Sequence, residues 1–156
     1  MKSRSTAQKK KIEKPKLVLD SNVFISAVVF GGKPREILDL AVKGLIEVAI
    51  SDDILEEIKE VLGGTKFQFS AKAVYALITE IENLADLVEP KEGIDAILDD
   101  PEDNRVLECA VESGANGIIS GDAHLLALRT FGEIKIMNPD EFLRLLAIRK
   151  LLAYER

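Results

Sequence analysis

Residues 17–24 read Leu-Val-Leu-Asp-Ser-Asn-Val-Phe, and this stretch decides the fold. Leu17, Val18 and Leu19 form a short buried-strand signal that stops at Asp20. Residues 22–29 are apolar enough for a helix, which Gly31-Gly32 closes. A strand that ends on an acid and turns at once into a helix is the opening of an alternating α/β chain.

The same switch recurs downstream. Pro34 opens a second helix in its first turn, and Gly44 ends it. Glu47 to Ile50 reads as the next strand. Ser51 caps a helix to Leu62, stopped by Gly63-Gly64. Ser70 caps an amphipathic helix over 71–86, with Val74, Leu77 and Ile78 as packing or interface positions. Leu87-Val88 is a weak strand signal before a loop with Pro90 and Gly93. Asp100 caps a helix with Pro101 at its first position and Gly114 beyond its end. Gly117 to Ser120 is a strand, a short helix follows Asp122, and Ile134 to Ile136 is the last strand. Asn138 caps a C-terminal helix starting at Pro139. The pattern predicts a mostly parallel central sheet covered on both faces. In such sheets ligands bind beyond the carboxyl ends of the strands. Asp20 and Asp122 both stand at that edge.

The composition is consistent with this. A chain of 156 residues suits one domain, and 47% hydrophobic residues exclude a disordered protein. The single cysteine excludes an internal disulfide. The charged N-terminus has no apolar signal core, and no apolar run approaches a membrane span. A cytoplasmic, membrane-free protein is expected. Charge is unevenly placed: residues 1–16 hold seven Lys or Arg and one Glu, while the whole chain is at −6. Residues 1–15 read as a flexible basic arm before a domain over 16–150, either a plain solvated tail or an electrostatic tether. The acidic body speaks against an ordinary nucleic-acid binder. It does not speak against a nuclease whose carboxylates hold cations, because the metal inverts the local charge.

Four acids are candidates for one site: Asp20, Glu57, Asp103 and Asp122. Asp20 and Asp122 are equally readable as helix caps. Glu57 lies at the margin of the stripe Ile54, Leu55, Ile58, Val61 and Leu62, at about 100° per residue, whereas Glu56 and Glu60 face away. Asp103 lies near the middle of the stripe made by Val106, Leu107, Ala110 and Val111. An acid on a core-facing side must be paired, protonated or metal-bound. The competing reading makes it the third helical residue in a capping box with Asp100. Together the four supply the hard oxygen ligands that Mg²⁺ prefers, and without a cation they would repel one another.

These residues resemble a known family. LVLDSNVFISAVVF resembles the opening motif of PIN domains. ISDDILEEIKEVL resembles the second motif, with Glu57 before Ile58. DDPEDNRVLECAVESGANGIISGDAHLL resembles the third and fourth, with Asp103 and Asp122 at the acidic positions. MNPDEFLRLL is similar to the ending of a bacterial and archaeal branch related to VapC, the toxin of toxin–antitoxin pairs. The resemblance covers about residues 16–146 and implies a three-layer α/β/α, Rossmann-like PIN domain. It implies Mg²⁺- or Mn²⁺-dependent cleavage of RNA, with 5′-phosphate and 3′-hydroxyl products. The four acids would hold the metal, with Asn22 and Ser120 at supporting polar positions. It also implies an RNA substrate, a possible cognate antitoxin and a homodimer.

Lys33, Arg35, Lys66, Arg105 and Arg129 are candidate phosphate contacts, though plain surface charges explain them as well. Phe67 and Phe69 either stack a base or anchor their loop. His124, the sole histidine, reads as a surface or helix-start residue, and Cys109 as a buried thiol. Two alternatives remain. One is a PIN scaffold that binds RNA or protein without cutting. The other is a different phosphate-handling α/β hydrolase with an aspartyl nucleophile, which usually carries a second Asp where Asn22 stands.

Overall fold

The computed structural model describes residues 14–97 and 100–154. Most of the basic arm expected over 1–15 lies outside the described residues. Among the described residues, six strands form one sheet in the order β3-β2-β1-β4-β6-β5. They are β1 (Lys16–Leu19), β2 (Glu47–Ser51), β3 (Asp86–Val88), β4 (Gly117–Ile119), β5 (Thr130–Phe131) and β6 (Ile134–Met137). All pairs are parallel except β5 with β6. Seven helices among the described residues follow the chain between and after them: α1 (Ser21–Val29), α2 (Gly32–Val42), α3 (Asp52–Gly63), α4 (Ala71–Leu84), α5 (Asp103–Ser113), α6 (Ala123–Leu128) and α7 (Pro139–Tyr154). None is long and apolar enough to cross a membrane.

The strand order carries the functional consequence. From β1 the chain moves outward to β2 and β3, then returns past β1 to β4. Right-handed crossovers running in opposite directions lie on opposite faces of a sheet. This gives the three-layer α/β/α arrangement, with α5 on the return crossover. The reversal falls between β1 and β4, and in open α/β sheets the carboxyl ends of the strands at such a point are where ligands bind. Leu17, Val18, Leu19, Ile118 and Ile119 are almost fully buried, as central strands covered on both faces require. Gly117 keeps β4 close to its neighbours. A Cβ there would stand 3.1 Å from the Lys135 carbonyl oxygen and 3.3 Å from Leu17 and Met137 side-chain carbons.

The helix starts obey local chemistry. Ser51 Oγ accepts from the Ile54 N–H and Ser70 Oγ from the Ala73 N–H. Asn138 and Glu141 form a reciprocal capping box, at 2.8 and 2.9 Å. Three expectations need correction. Asp100 does not begin a helix with Pro101. Residues 100–102 make a separate turn, with the Asp103 N–H on the Asp100 carbonyl, and α5 starts at Asp103. The helix expected over 71–86 stops at Leu84 because Asp86 joins β3. Its Ile78 is buried, and Val74 and Leu77 pack on the core, so these positions serve packing. The short β5 was not foreseen; it is a two-residue antiparallel return made possible by Gly132 at φ 62°.

Candidate metal centre

Asp20 is the residue before α1, yet its carboxylate caps no backbone N–H there. The cap reading therefore fails for it. Its side chain is buried and accepts a hydrogen bond from Ser120 Oγ at 2.7 Å. Ser120 Oγ accepts in turn from the Asp122 N–H at 2.9 Å. This one hydroxyl ties the end of β1 to the chain leaving β4. Ser120 stays in the ladder through its own N–H on the Met137 carbonyl. Burial pushes the Asp20 pKa upward, partly offset by the Ser120 hydrogen bond.

Asp103 carries the strongest conflict. The buried face of α5 is Asp103, Val106, Leu107 and Ala110, at helical spacing. Val111, expected on that face, is exposed instead. Burying Val106 and Leu107 stabilises by about 1.5–3 kcal/mol each, so the apolar face holds Asp103 where it is. Its Oδ2 is buried and has no hydrogen-bond partner. Burial first, then the neighbouring Asp122 carboxylate, push its pKa up to about 8. A carboxyl in that state lacks a positive charge beside it.

Asp122 meets both readings offered for it. Its Oδ1 caps α6, accepting from the His124 and Leu125 N–H groups at 2.8 and 3.2 Å. It also stands beside Asp103. Burial pushes its pKa up, but the neighbouring Asp103 carboxyl and the two backbone amides outweigh this, and the net shift is downward. Glu57 is half-buried while Glu56 and Glu60 are exposed, as its place on α3 predicts. Burial raises its pKa, with the nearby Ser21 hydroxyl offsetting only part of this and the Asp20 charge adding to the rise.

Within the described residues, Asp100, Asp103, Asp122 and His124 offer ligand atoms that all lie within 4.8 Å of one another. Asp20 adjoins this group through Ser120, and Glu57 adjoins Asp20 through Ser21. Of the four predicted acids, Asp103 and Asp122 thus stand in one cluster, while Asp20 and Glu57 lie outside it and are linked to it only through Ser120 and Ser21. Three residues here were not foreseen as part of the site. Ser21, not Asn22, is the buried hydroxyl beside Asp20; Asn22 is exposed. Asp100 was read as a cap, and the acid run Asp99-Asp100-Pro101-Glu102-Asp103 was the available signal. His124 was read as a surface residue. Its ring is half-exposed, but Nδ1 lies 3.8 Å from Asp122 and 4.0 Å from Asp103.

A polar ladder on α5 holds the approach to Asp100. Asn104 exchanges two hydrogen bonds with the Ile97 backbone, at 2.8 and 2.7 Å. Glu108 accepts from the Ile94 N–H and Glu112 from the Lys91 N–H. Side chains four apart share one helix face, so three successive turns grip one extended segment.

The donor set is suited to a divalent cation. It is hard, negatively charged and short of partners, and it includes an orphaned buried oxygen. No Lys or Arg forms an ion pair with Asp20, Asp100, Asp103 or Asp122 among the described residues. Of the cations named above, Lys33 is paired with Asp140, Arg35 with Asp39 and Arg105 with Asp53. Lys66 lies over the Phe67 ring, 5.2 Å from its centroid. Phe67 and Phe69 pack on the core and anchor their loop. Cys109 is fully buried, and burial pushes its thiol up to about 12.

An α/β/α sheet with acids converging at its reversal point defines a class, and residues 16–124 match the PIN domain family. The chain belongs to that family. Among relatives, it is 31% identical over 142 residues to the uncharacterized protein MJ1680 of Methanocaldococcus jannaschii, covering 83% of this chain and 90% of that one. Among solved structures, the fold is similar to a chain of VapBC2 from Rickettsia felis bound to a promoter DNA fragment. The TM-score is 0.55 at 12% identity, over 79% of this chain and 98% of that one. A chain of VapBC-1 from nontypeable Haemophilus influenzae gives a TM-score of 0.54 at 12% identity, over 80% and 98%.

Proposed function

We propose that this chain is a metal-dependent endoribonuclease that hydrolyses RNA phosphodiester bonds. One observation carries the reading: a buried, partnerless Asp103 oxygen facing other carboxylates at the sheet's reversal point, with no Lys or Arg ion pair to them among the described residues. Asp103 would hold the cation with Asp100 and Asp122, whose ligand atoms lie within 4.8 Å of its own, and Asp20, linked to the Asp122 backbone through Ser120, would join them at the edge of the site. Ser120 orients Asp20 and fixes the Asp122 backbone with one hydroxyl. Glu57, at the outer margin and tuned upward, takes a proton from the attacking water at its carboxylate. A bound Mg²⁺ or Mn²⁺ supplies a water of lowered pKa and offsets charge on the phosphate oxygens. No nucleophilic side chain is required. Membership of the PIN family supports this chemistry.

The test is incubation of a mixed RNA panel with the protein in Mn²⁺ and in EDTA, followed by end-sequencing. Internal cuts leaving 5′-phosphate and 3′-hydroxyl ends, only with the metal, are expected. RNA left intact by metal-loaded protein overturns the reading, and a trapped aspartyl-phosphate replaces it with the hydrolase alternative. A toxin role, with an inhibitory partner protein, is a second reading, supported by the fold shared with chains of VapBC structures. Growth arrest on expression, relieved by co-expressing the gene adjacent to its own, is its expected outcome.

A further inference from the structure

We propose that His124 supplies a nitrogen ligand to the cation held by Asp100, Asp103 and Asp122, so that the site prefers first-row transition ions to Mg²⁺. The proposal rests on the metal-centre reading above and names the ion class of that site. Its starting point is geometry. His124 Nδ1 lies 3.8 Å from Asp122 Oδ1 and 4.0 Å from Asp103 Oδ2, and ligand atoms of all four residues lie within 4.8 Å of one another. Ligands about 2.1 Å from one ion stand about 3 Å apart when adjacent and about 4.2 Å apart when opposite. The observed spread of up to 4.8 Å exceeds that opposite-ligand distance by about 0.6 Å, so small side-chain rotations close the set around an ion.

Independent support comes from Asp103. It is only 8% exposed, and its Oδ2 has no hydrogen-bond partner while His124 Nδ1 faces it. The approach is short of a hydrogen bond and within reach of shared ligation. The position of His124 is also determined from below. Its N–H is held by the Asp122 carboxylate, so the residue that brings an oxygen to the cluster also sets the backbone that presents the imidazole. The ring is half-exposed and able to rotate onto an ion without breaking a core contact.

Ligand chemistry gives the ion preference. Mg²⁺ demands oxygen and a near-ideal octahedron, and gains little from an imidazole. First-row transition ions bind imidazole nitrogen more strongly, in an order that starts at Mn²⁺ and rises through Fe²⁺ and Co²⁺. Three carboxylates with one imidazole therefore discriminate against Mg²⁺, where carboxylates alone would not.

The full chain is to be titrated with Mn²⁺ and with Mg²⁺ by calorimetry, and the Mn²⁺ form read by pulsed electron paramagnetic resonance for directly bound ¹⁴N. Wild type is expected to show nitrogen coupling and to bind Mn²⁺ at least about tenfold tighter than Mg²⁺. His124→Gln is expected to lose the coupling and most of that ratio, while its Mg²⁺ affinity stays within about twofold. Mn²⁺ bound without nitrogen coupling, with binding lost in Asp103→Asn, overturns the histidine ligand and leaves the metal centre standing. So does a His124→Gln variant that weakens both ions equally. Wild-type protein that takes up neither ion overturns the metal centre as well.

Discussion

Two groups of acids in this molecule sit in opposite electrostatic conditions. At the start of α7, Asp140 is ion-paired to Lys33 and to Arg144, and these cations hold its carboxyl below the usual range. At the reversal point of the sheet, Asp100, Asp103 and Asp122 gather, with Asp20 linked to them through Ser120, and none forms an ion pair with Lys or Arg among the described residues. Burial and mutual repulsion raise Asp20, and push Asp103 up to about 8. Where the chain supplies its own positive charge, a carboxylate is a surface fixture. Where acids converge without one, the fold holds a charge deficit of the kind that a divalent cation offsets in the proposed metal centre.

The largest difference between the two groups should appear in catalysis. Asp20→Asn or Asp103→Asn is expected to lower Mn²⁺-dependent RNA cleavage by more than about 100-fold, above the loss from removing a supporting hydrogen bond alone. Circular dichroism should show the fold retained. Asp140→Asn is expected to leave the cleavage rate near wild type. Equal losses at Asp140 and Asp103 would erase the contrast.

Next in size is a pH effect on the metal-free protein. A carboxyl raised on folding contributes stability that is fully present below its ordinary pKa and lost as pH rises through its folded value. For Asp103 the window runs from its ordinary 3.8 to about 8. The melting temperature of metal-free protein should therefore fall across that range, and Mn²⁺ should raise it more at pH 8 than at pH 5. Asp122, shifted downward, contributes in the opposite sense, losing stability only as pH falls below its ordinary range. Asp103→Asn should flatten the decline, and an unchanged profile would show that Asp103 is not its source.

Ser120→Ala sharpens the comparison at a smaller scale. It leaves Asp20 Oδ2 without its hydroxyl donor and the Asp122 N–H without its acceptor. A loss of about 1–3 kcal/mol by denaturant unfolding is expected, with about 10- to 100-fold weaker metal binding.

Smallest in stability is Asp122→Asn. The amide oxygen can still accept from the His124 and Leu125 N–H groups, so stability should hold to within about 0.5 kcal/mol. Calorimetry should still show weaker Mn²⁺ binding. Asp122→Ala, which removes the cap, should cost about 0.5–2 kcal/mol in addition. If Asn and Ala destabilise equally, the cap is not what holds α6.

The four acids differ in how far their sequence surroundings announced them. Glu57 was separable from Glu56 and Glu60 because helical geometry alone places it at the edge of the buried face. Asp103 was legible for the same reason, as an acid on an apolar stripe. Asp20 and Asp122 looked alike, each an acid between a strand and a helix. They turned out different: Asp122 caps its helix and Asp20 does not. That distinction depends on Ser120, which lies 100 residues from Asp20 in the chain. Asn22 and Ser21 could not be ranked from pattern either, since one residue of helix rotation separates an exposed amide from a buried hydroxyl. His124 was undervalued because a lone histidine has no sequence partner, and its neighbour Asp103 arrives from another element.

By itself the sequence determined the alternation of strands and helices, the caps at Ser51, Ser70 and Asn138, and the identity of the chain as an acid-bearing α/β domain. These follow from local rules: side-chain periodicity, turn chemistry and capping act over a few residues. Tertiary structure alone decided that β1 and β4 are neighbours, that Asp103 loses its water beside Asp122, and that Asp100 and His124 join them. Burial and charge repulsion act through space, and their sign at each carboxyl is set by which distant atoms the sheet order brings within a few ångströms.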